Sequence, residues 1–126
     1  MDDASEGGKR RTNSEIRQWY LERVANIEEL DQAWISRGLS TRERAERALR
    51  IRSEARRAAR SMMPDKRERE LLRARDMKKY GSPNGPSFEF LMANLRDAGL
   101  EGDEAYEAII AGSFRTDREL NKLLGL

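Results

Sequence analysis

The sequence predicts an all-α fold, a compact orthogonal bundle of six or seven short helices. Apolar residues recur every three to four positions from residue 12 onward, and no segment alternates apolar and polar residues as a half-buried strand would. Start and stop signals punctuate that pattern at short intervals, so no single helix dominates the chain. At 126 residues there is room for one domain with one modest core.

Residues 1–11 are polar and aperiodic, with Gly7 and Gly8 adjacent, and read as a flexible lead-in to a single helical domain over 12–126. Thr12 and Glu15 have capping-box spacing and open a helix with Ile16, Trp19, Tyr20, Val24 and Ile27 on one side. Leu30, Ala33 and Trp34 continue it or form a second short helix, stopped at Gly38. Ser40 and Glu43 form another capping box, before a long helix with Ala45, Ala48, Leu49, Ala55, Ala58 and Met62 inside. Pro64 ends it. Asp65 and Glu68 start the next helix, which carries Leu71, Leu72 and Met77 and closes at Gly81. Ser87 caps a helix with Phe88, Leu91, Met92 and Leu95 inward, and Gly99 followed by Leu100 fits a Schellman ending. Asp103 is expected to cap a helix bearing Tyr106, Ile109 and Ile110, broken at Gly112. Thr116 and Glu119 mark a last helix with Leu120, Leu123 and Leu124.

Composition narrows the chemistry. The chain has no cysteine and no histidine, so disulfides, thiolate metal sites, a Cys nucleophile and His-dependent acid–base mechanisms are all absent. A lone Asp and a distant Glu do not make a metal site, and no dinucleotide fingerprint is present, so neither metal nor cofactor is assigned. No apolar run approaches the roughly 20 residues of a membrane span, so a soluble chain without membrane contact is expected. Net charge is only +2, but it is unevenly placed: −3 over residues 1–36, +9 over 37–79 and −4 over 80–126. Arginine supplies 20 of the 25 basic residues, which favours bidentate contacts to phosphate or carboxylate. Arg52, Arg56 and Arg60 recur every four residues and form a stripe able to track a phosphate backbone. Pairing with Glu43, Glu46 and Glu54 on a solvated face is the competing explanation.

Two breaks in the helical plan stand out. The loop Gly81–Ser87 holds two of the three prolines and two of the nine glycines. Pro83-Asn84-Gly85-Pro86 suits a stiff turn. It separates Asp76, Lys79 and Tyr80 from Glu89, four residues able to act as base, acid or electrostatic partner if the turn brings them to one cleft. Dipole complementarity at helix ends accounts for the same charges without any chemistry. Arg75 adds a further cation. The second break, Gly112 to Asp117, places Ser113, Arg115 and Thr116 where an anion-binding nest would form, although Thr116 is equally a plain cap.

The segments Ile51-Arg52…Ala55-Arg56…Ala59-Arg60-Ser61-Met62-Met63, Leu72-Arg73-Ala74-Arg75-Asp76…Lys79-Tyr80-Gly81, Asn84-Gly85-Pro86-Ser87-Phe88-Glu89, Gly99 to Glu104 and Arg115-Thr116-Asp117 together resemble a small helical module. That module lies at the C-terminal ends of Rhs-repeat polymorphic toxins, used between competing bacteria. The resemblance covers roughly residues 14–126, and the Tyr-Gly…Gly-Pro-Ser-Phe-Glu block is its most specific part. It implies an effector domain delivered from a producing bacterium into the target-cell cytoplasm and neutralised by a cognate immunity protein, for which an acidic surface would suit the basic middle. The expected target is nucleic acid, RNA first, attacked by His-independent chemistry using Asp76, Lys79, Tyr80 and Glu89. Arg52, Arg56, Arg60, Arg75, Ser113, Arg115 and Thr116 would hold phosphate. A group-transfer toxin that moves ADP-ribose and a non-catalytic helical module that binds nucleic acid or protein are the alternatives.

Overall fold

The computed structural model describes residues 11–112, and they form five helices with no strand among them. These are α1 (Asn13–Ser36), α2 (Thr41–Met62), α3 (Lys66–Tyr80), α4 (Phe88–Asp97) and α5 (Asp103–Ala111). The fold is all-α as expected, but the helices are five where six or seven were predicted. One reason is that α1 runs unbroken through Leu30 and Trp34 to Ser36, so the possible second helix is simply its last turns. The helix expected after Thr116 lies outside the described residues, as do Ser113, Arg115 and most of the lead-in.

Local chemistry sets the helix boundaries. Thr12 with Glu15 and Ser40 with Glu43 each make both reciprocal bonds of a capping box. Asp65 accepts from the Arg67 and Glu68 amides, and Ser87 from the Phe90 amide. At the other ends, Gly38 and Gly99 have positive φ, and the amides of Leu39 and Leu100 reach back to the Trp34 and Leu95 carbonyls. Both helices therefore end in Schellman motifs. Asp103 is not the cap of α5. That place belongs to Gly102, at φ 56° and ψ −131°, with no side-chain bond to the helix, and Asp103 falls in the first turn.

Helices α1 and α2 form an antiparallel hairpin: the Arg11 amide at the head of α1 donates to the Met62 carbonyl at the foot of α2 (3.1 Å). Helix α2 is the spine, in contact with α1, α3 and α5, and α4 packs on α5. Two apolar clusters flank its length. One gathers Ile16 and Tyr20 of α1, Ala55, Ala59 and Met62 of α2 with its C-cap Met63, and Leu72 of α3. The other gathers Ile27 and Trp34 of α1, Ala45, Ala48 and Leu49 of α2, Leu91 of α4, and Ile109 and Ile110 of α5. The alanines let neighbouring helices approach α2 closely. In α3 only Leu72 of the expected apolar trio is buried; Leu71 and Met77 are nearly half exposed. The inner edge of α3 is occupied by Asp76 and Tyr80 instead.

Candidate functional site

Four of the eight arginines of α2, Arg44, Arg52, Arg56 and half-buried Arg60, turn inward; Arg42, Arg47, Arg50 and Arg57 are exposed. Arg56 is 1% exposed, as is Asp76 of α3, and the two meet in a bidentate pair: Nε donates to Oδ2 (2.7 Å) and Nη2 to Oδ1 (2.9 Å). Desolvation pulls the Arg56 pKa down, but the hydrogen bonds and charge of Asp76 outweigh it and hold the guanidinium above its ordinary value. Tyr20 and Tyr80 stand close enough to add to that field. Arg52 is buried and donates through Nη2 to the Ile110 carbonyl (3.1 Å), stitching α2 to the end of α5. Arg60, half-buried, donates to the Pro83 carbonyl and, through Nη2, to Asn84 Oδ1 (3.1 Å). Desolvation lowers its pKa; Asp76 opposes this, while Arg73, Arg56 and Arg57 add to it.

The expected phosphate stripe is thus an internal scaffold: Arg52 holds α5, Arg56 holds α3 and Arg60 holds the α3–α4 loop. Arg44, which sequence reasoning passed over, belongs to the same set. Its Nη1 donates to both oxygens of Asp31 in α1 (3.0 and 2.9 Å), and its Nη2 donates to Glu107 of α5 (3.2 Å). The signal was present in the sequence. Arg44, Arg52 and Arg56 are interleaved with Ala45, Ala48, Ala55 and Ala59, and small neighbours make room for a buried arginine stem.

The four candidate catalytic residues do not converge on one cleft. Asp76 has both carboxylate oxygens bonded to Arg56. Tyr80 is half-buried, edge-on to the Phe90 ring at 5.0 Å, with the Lys79 ammonium 5.3 Å from its own ring centroid. Lys79 and Glu89 are exposed, Glu89 in the first turn of α4. Arg75 is exposed on α3. Asp76, Lys79 and Tyr80 therefore sit around the end of α3, while Glu89 faces solvent.

Two concavities stand out among the described residues. A groove of about 750 Å³ lies between α1 and α5, with Leu21, Val24, Ile27 and Ile110 as apolar walls and Glu28, Asp31 and Glu107 as acidic ones. A smaller cleft of about 310 Å³ lies between α2 and the α3–α4 loop, where Arg50 and Ser53 face Ser82 and Asn84. Among the described residues no group of three or more acidic side chains is placed to hold a metal ion, and no helix is long and apolar enough to cross a membrane.

The outward cations are concentrated on α3. Lys66, Arg67, Arg73, Arg75 and Lys78 are all exposed, and none forms a salt bridge with another described residue. Leu71 and Met77 lie exposed on the same helix. The described residues are thus a five-helix assembly around a central arginine-rich helix, with a basic third helix facing solvent. No family model, curated protein or solved structure matches the chain.

Proposed function

We propose that this chain is a nucleic-acid-binding effector domain that contacts a phosphate backbone, RNA first, through the exposed face of α3. The observation that carries this reading is the set of five outward cations on α3 without salt-bridge partners among the described residues. The inward arginines of α2 keep that helix fixed but are committed to internal contacts. Arginine and lysine on one helix supply affinity and register, whereas sequence discrimination needs base contacts elsewhere. The resemblance to Rhs-repeat toxin modules supports delivery from a producing bacterium into the target-cell cytoplasm. A cognate immunity protein with an acidic face would then cover α3, using Leu71 and Met77 as apolar contacts within the charged surface.

Salt dependence tests the reading. Five phosphate contacts on a single strand predict a log–log slope of affinity against salt of about −3.5. Fluorescence anisotropy with a labelled RNA oligonucleotide between about 50 and 200 mM salt measures it. The double variant Arg75→Glu/Lys78→Glu should weaken binding and flatten the slope by about 1.4. No binding at the low end, or an unaltered slope in that variant, overturns the proposal.

A catalytic reading is favoured by one observation: Tyr80 lies close enough to the buried Arg56–Asp76 pair to add to the field at Arg56, and the Lys79 ammonium is 5.3 Å from its ring centroid. Under it Tyr80 or Glu89 acts on RNA with Lys79 as electrostatic partner, or on an ADP-ribose acceptor. Inducible expression of Glu89→Gln and Tyr80→Phe in bacteria decides between them. Loss of growth inhibition with unchanged melting favours the enzyme; full inhibition favours binding alone.

A further inference from the structure

The α3–α4 loop is laid along one flank of α2 and held at both ends. Arg60 fixes its beginning through Pro83 and Asn84. Its far end leads into Phe88, whose ring has two contacts: the Arg42 guanidinium lies 5.6 Å from the ring centroid, and Tyr106 stacks at 6.1 Å with the planes 18° apart. Between those anchors the cleft of about 310 Å³ stays open.

We propose that this cleft is a subsite for one ribonucleotide unit of the bound strand, an inference that rests on the nucleic-acid reading above. Its volume lies at the lower limit of ligand pockets, too small for a duplex or a folded partner but suited to a single nucleotide. Leu49 and Pro86 give an apolar wall for the flat face of a base. Phe88 is already engaged by Arg42 and Tyr106, so the base is placed against Leu49 and Pro86 and not stacked on that ring. Arg50 lines the cleft, is exposed and forms no salt bridge with another described residue, leaving its fork to take a phosphate. The Ser53 hydroxyl can donate beside it, and Ser87 brings the N-terminal end of α4 to the same cleft.

Glu46 gives the cleft its selectivity. A carboxylate accepts hydrogen bonds and repels phosphate, so it suits a sugar hydroxyl. Its 3.4 Å contact with Arg42 moderates its charge without enclosing it. A ribose 2′-hydroxyl donating to Glu46 is the contact that would tell RNA from DNA. The anchored loop places these groups before the ligand arrives, which limits the ordering cost of binding.

Amide NMR titration of the full chain tests the inference, with AMP, dAMP and inorganic phosphate as probes. AMP should shift the amides of Ser53, Ser82, Asn84 and Phe88, and dAMP should shift them less at equal concentration. Arg50→Ala, on the exposed side of α2, should leave melting unchanged and weaken AMP about tenfold. Glu46→Gln should narrow the difference between AMP and dAMP. Unmoved cleft amides at millimolar AMP, or inorganic phosphate reproducing the whole pattern, overturn the subsite. If RNA still binds through α3 in that case, the broader reading survives; if neither probe nor oligonucleotide binds, both fall.

Discussion

Asp76→Asn separates the structural from the catalytic interpretation of the loop region. Asp76 and Arg56 are each 1% exposed, and two hydrogen bonds of 2.7 and 2.9 Å join them. Asparagine preserves the shape but removes the charge and offers one acceptor where Arg56 needs two. Its amide nitrogen then confronts a guanidinium N–H, donor against donor, and the buried cation is left uncompensated. Breaking one side of such a pair costs about 3–5 kcal/mol. The lower end applies because one hydrogen bond is retained. A loss of about 3 kcal/mol is a large part of the roughly 5–15 kcal/mol that holds a domain together. For a chain of this size it corresponds to a fall in melting temperature of about 10–15 °C. Thermal unfolding followed by circular dichroism reads this directly. The double substitution Arg56→Met/Asp76→Leu removes both charges and should recover most of the loss. If Asp76→Asn melts within about 2 °C of the parent, a shift worth well under 1 kcal/mol, while its biological effect disappears, Asp76 acts on a substrate and the structural account is refuted.

Three further outcomes follow from the same geometry. Gly112→Ala should destabilise by about 1–3 kcal/mol in chemical denaturation, because φ is +75° and a Cβ would meet the Arg52 guanidinium at 2.5 Å; an unchanged midpoint would contradict the Arg52–Ile110 link. Arg60→Lys, which keeps the charge but not the fork that spans Pro83 and Asn84, should speed hydrogen exchange in the loop, most visibly at the Asn84 and Gly85 amides; unaltered protection would show that the loop is held by something else. The Ser40 backbone and side-chain hydrogen bonds hold the Glu43 carboxyl below its ordinary 4.5. That depressed value makes its contribution to stability complete above about pH 4.5 and lost as pH falls through the lower folded-state pKa. Ser40→Ala should return the Glu43 titration toward 4.5 by carboxyl NMR, and no movement would show that the capping box is not formed in solution.

The helix boundaries were legible in the sequence because capping is local. Thr12 sees Glu15, Ser40 sees Glu43 and Ser87 sees the Phe90 amide, each three residues away. The Schellman endings at Gly38 and Gly99 were readable for the same reason. The fate of the arginines was not. A stripe at four-residue spacing is equally a solvated face or a buried scaffold, and what decides is the partner across the fold. For Arg56 that partner lies 20 residues away and for Arg52 it lies 58 away. The interleaved alanines were the only local hint, and small residues on an inner face indicate close helix packing as readily as buried arginines. The loop expected to be stiff from its prolines is also tied to α2 by Arg60, a partner 23 residues before Pro83 and 24 before Asn84. The small cleft beside it was invisible because Arg50 and Ser53 come from a helix 30 residues earlier.

The inward arginines also divide the interior. On α2, Arg52 falls between Leu49 of one apolar cluster and Ala55 of the other, and half-buried Val24 is the side chain packed against both. Arg52 thus interrupts the apolar surface of α2 between the two clusters, and its own hydrogen bond runs to the end of α5. Native-state hydrogen exchange should therefore show the two ends opening with separate free energies. Helix α2 is the element that ties the opening of one to the other. A loosened α4–α5 end would leave the α1–α3 end, with the buried Arg56–Asp76 pair, largely intact. The loop would keep its Arg60 anchor in that case, because Arg60 stands next to Ala59 at the α1–α3 end of α2.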